Sequence, residues 1–141
     1  MIDRAAHILL IEDDQVDVMN VKRAFKKSNI MNPLHIAGNG LEALAKLRGE
    51  EGEEKIPIPK IILLDINMPK MNGIEFLREL RNDNELKRIS VFVLTTSNQE
   101  RDKFDAYDMN VAGYILKPVD LTDFMKAVST LELYWSLIEM P

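Results

Sequence analysis

The chain has 141 residues, the usual size of one domain, with 23 acidic residues against 18 basic ones and a net charge of −5. That balance speaks against a nucleic-acid partner, whose phosphate backbone needs a basic footprint. There is no cysteine and there are only two histidines, so disulfides and thiolate metal sites are excluded and a bound metal would take mainly oxygen ligands.

The first residues, 1–7, hold no signal-peptide apolar core, and no apolar run approaches the ~18 residues of a spanning helix. A cytoplasmic protein with no membrane partner is expected. The run Ile8-Leu9-Leu10-Ile11 is apolar without alternation, as in a strand buried on both faces, and it stops abruptly at Glu12-Asp13-Asp14. A helix is predicted over 15–28, with Val18, Val21 and Phe25 on one stripe and Lys22, Lys26 and Lys27 towards solvent. A weaker strand follows at Leu34-His35-Ile36-Ala37. Gly38-Asn39-Gly40 then supplies a turn into a helix over 41–48 that points Leu41, Leu44 and Leu47 inward. The acidic stretch 50–55 reads as a solvated insertion.

A second buried run, Ile61-Ile62-Leu63-Leu64, ends at Asp65. Seven residues from Asn67 to Gly73, with Pro69 and Gly73 suited to a turn, lead into a helix carrying Ile74, Phe76, Leu77 and Leu80. A third run, Val91-Phe92-Val93-Leu94, ends at Thr95-Thr96-Ser97. The helix predicted over 99–109 is the least regular, with Phe104, Ala106 and Tyr107 as its buried candidates. The last run, Tyr114-Ile115-Leu116, ends at Lys117-Pro118, and a final helix opens near Leu121. Its end is apolar nearly all round, through Leu133, Tyr134, Trp135, Leu137 and Ile138. Such a surface predicts association, the alternative being a tail packed on its own core.

Strands alternating with helices predict an α/β fold: a parallel sheet covered by helices on both faces. The carboxyl ends of parallel strands share one crevice, where open α/β sheets bind ligands. Glu12, Asp13 and Asp65 would repel one another there unless a cation sat among them, and Mg2+ or Mn2+ suits an all-oxygen donor set. Asp13 and Asp65 can ligate directly, the backbone carbonyl of Asn67 can add a third oxygen, and Glu12 can act through water. Asp14 reads instead as a helix cap. Asp65, ending a central buried strand, is the best-placed carboxylate to attack phosphorus and form an aspartyl phosphate. Lys117 offers a point charge to one phosphoryl oxygen and the Thr95 hydroxyl serves another.

These motifs resemble the receiver domain of two-component response regulators over essentially the whole chain. The resemblance rests on Ile8-Leu9-Leu10-Ile11-Glu12-Asp13-Asp14, on Leu64-Asp65-Ile66-Asn67-Met68-Pro69-Lys70-Met71-Asn72-Gly73, on Leu94-Thr95 and on Gly113-Tyr114-Ile115-Leu116-Lys117-Pro118. It implies a flavodoxin-like sheet of five strands in the order 2-1-3-4-5. It also implies Asp65 as phosphoacceptor, Glu12 and Asp13 as the acidic metal pair, and Thr95, Tyr114 and Lys117 as switch and phosphoryl-binding residues. A cis bond before Pro118 is implied as well. Thr96 stands where the family commonly has a smaller residue, which would narrow access to Asp65. The resemblance further implies a sensor histidine kinase as partner and no catalysis beyond self-phosphorylation from small donors and self-dephosphorylation. With no second domain after the final helix, a single receiver unit spanning 1–141 with an apolar tail over 121–141 is expected. That tail, and Leu94-Thr95-Thr96-Ser97, resemble the small regulators paired with bacterial and cyanobacterial phytochrome kinases, which dimerise through the fourth helix, fifth strand and last helix.

Three other readings share parts of the pattern. A haloacid-dehalogenase-type phosphatase needs a second acid two positions after its nucleophile, and Asn67 stands there. A flavin binder of the same fold would place its phosphate against three acids. A receiver-like interaction module that has lost phosphorylation would have no need of the complete set of side chains present.

Overall fold

Every apolar run named above forms a strand, as expected of short, β-branched-rich segments without polar alternation in a parallel sheet covered on both faces. The computed structural model describes residues 6–27, 31–66, 70–105 and 108–117, together with Thr122 and Lys126. Within them, β1 (Ile8–Ile11), β2 (Leu34–Ala37), β3 (Ile61–Asp65), β4 (Ser90–Thr95) and β5 (Gly113–Leu116) alternate with α1 (Gln15–Lys27), α2 (Gly40–Arg48), α3 (Gly73–Arg81) and α4 (Asn98–Asp105). All pairings are parallel and the order is β2-β1-β3-β4-β5, the expected flavodoxin-like arrangement. The strand order reverses between β1 and β3, so the crevice opens where Glu12 and Asp65 leave the sheet.

Side chains alternate along each strand, and the alternation builds two separate cores. Ile8, Leu10, Ile61, Leu63, Phe92, Leu94 and Ile115 pack with Val18, Val21, Ala24 and Phe25 of α1. Leu9, Ile11, Ile62, Leu64, Val91 and Val93 face the other way, onto Leu44 and Leu47 of α2, Phe76, Leu77 and Leu80 of α3, and Phe104 of α4. Full burial of one such side chain is worth roughly 1.5–3 kcal/mol, and Phe76, wholly buried, is among the largest.

The helix ends are fixed locally. Asn39 caps α2 by accepting from the Glu42 N–H, and Gly49 closes it in the left-handed region at φ 72°, where a side chain would be strained. Asn72 and Glu75 form a reciprocal capping box on α3.

Two helix expectations need correction. Leu41 is 50% exposed rather than inward: the inward stripe of α2 runs through Gly40, Ala43, Leu44 and Leu47, and Leu41 sits about 100° around from Gly40. The fourth helix ends before Met109, where the backbone turns through Asp108 and Asn110, both at positive φ, a conformation these two residue types tolerate. Phe104 is buried as predicted, and Ala106 and Tyr107 lie outside the described residues. So do Asn67, Pro118 and the tail residues Leu133, Tyr134, Trp135, Leu137 and Ile138. Among the described residues no helix is long and apolar enough to cross a membrane.

Candidate functional site

The period-two alternation that builds the cores continues past the strand ends and sorts the polar residues between the two faces. Glu12 continues the parity of Leu10, Asp65 that of Leu63 and Lys117 that of Ile115, so all three project on the α1 side. Backbone pairing carries on beyond the strands to hold them there, with Glu12 N–H donating to Ala37 (2.9 Å) and Lys117 N–H to Thr95 (2.8 Å). Thr95 instead continues the parity of Val93 and projects with Tyr114 towards α4.

On the α1 side, Lys117 Nζ lies 2.7 Å from Glu12 Oε2, 3.1 Å from Asp65 Oδ1 and 3.0 Å from Asp17 Oδ2, one ammonium shared among three carboxylates. Glu12, Asp65 and Thr95 are the buried polar side chains among the described residues. Burial pushes the Glu12 carboxyl up to about 7, with the charge of Asp65 adding to the rise, against the opposing pull of Lys117 and the Asp14 N–H. For Lys117, burial alone would depress the ammonium. Its ion pair with Glu12, its hydrogen bond to Asp17 and the charge of Asp65 outweigh that and hold it above its ordinary value, so it stays cationic. The Glu12 contact is one of charge: Glu12 Oε2 is buried and accepts no well-aligned hydrogen bond.

Glu12, Asp13 and Asp65 each bring an oxygen within 4.8 Å of the others. Two buried acids, a third exposed one and a buried oxygen with no aligned donor form a donor set fitted to a hard divalent cation that keeps part of its water shell. Asp14 is the cap it was expected to be, its Oδ1 accepting from the N–H groups of Val16 (2.8 Å) and Asp17 (3.2 Å). Together with Asp17, Thr96, Glu100 and Lys117, these acids line an open crevice of about 910 Å³.

On the α4 side, the Thr95 hydroxyl meets Glu100 Oε2 at 3.1 Å and the Ser97 carbonyl at 3.1 Å. The Tyr114 hydroxyl donates to Asp105 Oδ1 (3.0 Å), its ring stands edge-on to Phe104, and the Arg101 guanidinium lies 4.9 Å above it. Burial, then the Asp105 carboxylate, push the phenol up to about 12. The structure thus brings Glu12, Asp13, Asp65 and Lys117 together, while the hydroxyls of Thr95 and Tyr114 are bonded to carboxylates of α4.

Two participants escaped the sequence reading, Asp17 and Glu100. Glu100 had a legible signal: Ser97 and Glu100 form the S-x-x-E signature of a helix start, and the Glu100 N–H does donate to Ser97 Oγ (3.2 Å). Asp17 lies one turn beyond the Asp14 cap, and its lysine is distant in sequence.

Comparison with known proteins decides the family. The family described as "Response regulator receiver domain" matches residues 8–129. The chain belongs to it. Among curated relatives, Response regulator Rcp1 from Synechocystis sp. is 41% identical over 128 residues, covering 91% of this chain and 87% of its own length. A two-component response regulator from Legionella pneumophila superposes with a TM-score of 0.79 at 45% identity, over 90% of this chain and 98% of that one. The phosphorylated cyanobacterial phytochrome response regulator RcpA gives 0.76 at 36% identity, over 96% and 97%. The Mn2+-bound form of Rcp1 gives 0.74 at 41%, over 92% and 94%.

Proposed function

We propose that this receiver accepts a phosphoryl group on Asp65 from the phosphohistidine of a sensor histidine kinase, and that it works as a single-domain regulator in a two-component relay. The carrying observation is the Lys117 ammonium, 3.1 Å from Asp65 Oδ1 and shared with Glu12 and Asp17 in one crevice. A charge so placed steadies the Asp65 carboxylate now and can follow phosphoryl oxygens later. An Asp65 oxygen attacks phosphorus, the phosphorus–nitrogen bond breaks, and the electron pair leaves on the kinase imidazole. Asp13 and Asp65, with the Asn67 carbonyl and Glu12 through water, would hold Mg2+ or Mn2+. A bound divalent ion supplies neutralisation of the phosphoryl oxygens.

Phosphorylation adds a charge of about −1.5 to −2 at Asp65. Lys117 then exchanges its contacts with Glu12 and Asp17 for a phosphoryl oxygen, Thr95 turns to another, and Tyr114 fills the space Thr95 leaves. The face formed by α4 and β5 changes shape, a shift between two packed states. Likeness to the phytochrome response regulator RcpA supports a phytochrome-type kinase as donor, and a homodimer on that face is the proposed signalling form. The chemistry is confined to the protein's own modification and its reversal.

The test is labelling with a small phosphodonor and Mg2+, read by intact mass. The native chain takes up one acid-labile phosphoryl group and Asp65→Asn takes up none. Full labelling of Asp65→Asn would assign the nucleophile elsewhere. Transfer from a purified phytochrome kinase, set against an unrelated kinase, tests the donor.

A further inference from the structure

We propose that Glu100 is a positioning residue that holds the Thr95 hydroxyl on the α4 face, away from Asp65, and so sets how readily the phosphorylated arrangement forms. The inference rests on Asp65 being the phosphoacceptor.

Thr95 is buried, yet its hydroxyl is spent locally. It lies 3.1 Å from both Glu100 Oε2 and the Ser97 carbonyl, and with one proton it donates to one of them at a time. A carboxylate is the stronger acceptor. The same Oε2 also takes the Thr96 hydroxyl (2.9 Å) and the Thr96 N–H (3.3 Å), so one oxygen gathers both threonines. Glu100 is itself anchored, its N–H donating to Ser97 Oγ (3.2 Å) in the first turn of α4. The carboxylate is therefore part of the helix start rather than a free surface group.

Strand parity gives this geometry its meaning. Thr95 projects to the side of the sheet where α4 lies, whereas Asp65 and Lys117 project to the α1 side. For the hydroxyl to donate to a phosphoryl oxygen on Asp65, it must give up Glu100. Hydrogen bonds to charged groups are among the stronger ones, so their loss is a real cost of switching. Removing Glu100 removes that cost and biases the chain towards the active arrangement before any phosphoryl group arrives.

Beryllofluoride with Mg2+, which mimics a phosphoryl group on an aspartate, provides the test, its binding followed by fluorine NMR. Native protein and Asp65→Asn come first: absence of binding to the native chain, or binding to Asp65→Asn, would overturn the phosphoacceptor reading and this inference with it, before any Glu100 variant is made. With that established, Glu100→Ala is expected to lower the half-saturating concentration about tenfold, the factor that corresponds to ~1.4 kcal/mol. Glu100→Gln, which keeps size and an acceptor oxygen but loses the charge, should fall between. The same substitutions in a Thr95→Ala background are expected to change nothing. A role confined to capping α4 would lower the melting temperature and leave half-saturation where it was, and simple charge repulsion would shift both backgrounds equally. Either result overturns the proposal.

Discussion

Replacing Lys117 with methionine removes the ammonium while keeping most of the aliphatic stem, and the structure dictates how the loss depends on pH. At contacts of 2.7 to 3.1 Å the ammonium faces Glu12, Asp17 and Asp65. A pair of unit charges about 3 Å apart attracts by roughly 5–6 kcal/mol at an effective dielectric near 20. Desolvation offsets much of this, and removing one partner of a buried pair costs about 3–5 kcal/mol net. Glu12 has an escape, because it can take up a proton. Burial has already raised its carboxyl from an ordinary 4.5 to about 7, so the folded chain binds that proton more tightly than the unfolded chain does. Its contribution to stability is thus fully present below about pH 4.5 and lost as pH rises through 7. Without Lys117 the folded value climbs further and the window extends upward. Near pH 6 native and variant proteins both hold Glu12 largely neutral, and only the contacts to Asp65 and Asp17 separate them, a difference of about 1–2 kcal/mol. Near pH 8 the variant buries an unpaired charge or pays for a proton, and the difference should grow to about 3–4 kcal/mol. Urea unfolding at both pH values in the presence of a chelator measures this. Adding Mg2+ should then restore more stability to the variant than to the native chain, because a cation replaces the missing charge. Equal losses at the two pH values, with no extra rescue by metal, would show that Lys117 acts through packing and would refute the electrostatic reading.

Arg81 donates to four backbone carbonyls, those of Lys87, Ile89, Met109 and Asn110, at 2.9 to 3.1 Å, tying the end of α3 to the entrances of β4 and β5. Arg81→Ala should cost about 2–4 kcal/mol in urea unfolding, and Arg81→Lys should recover little, since an ammonium cannot reproduce the spread of the guanidinium fork; a loss under ~0.5 kcal/mol would remove the staple from the account. Leu44→Ala should cost about 2–5 kcal/mol and Leu41→Ala less than ~0.5 kcal/mol, and similar losses at both positions would contradict the observed face of α2.

How much of this was legible beforehand follows from which signals are local. Four apolar runs without alternation announce buried parallel strands, and the structure places strands at all of them, with Leu34–Ala37 as the fifth. The inward stripe of α1 was equally clear because Val18, Val21 and Phe25 repeat at helical spacing. Leu41 misled because apolarity was counted without the cap: Asn39 starts the helix at Gly40, and the inward stripe follows from that start. The fourth helix was drawn too long because Asp108 and Asn110 carry no obligatory stop signal, although both tolerate the left-handed turn they adopt.

At the site, the identity of the polar strand ends was readable, but their division was not drawn from it. Reading the endings as one edge left the two sides of the sheet unassigned, and counting by two from Val93 puts Thr95 with Tyr114 towards α4. The same parity explains the partners the sequence reading missed. Residues on the α1 side are met by a carboxylate from the first turn of α1, Asp17 to Lys117. Those on the α4 side are met by carboxylates from the two ends of α4, Glu100 to Thr95 and Asp105 to Tyr114. In the proposed switch, Asp17 and Glu100 hold Lys117 and Thr95, the two donors a phosphoryl group on Asp65 would call on. On that proposal, the depth of the hold is a property of two helix residues outside the strand-end motif.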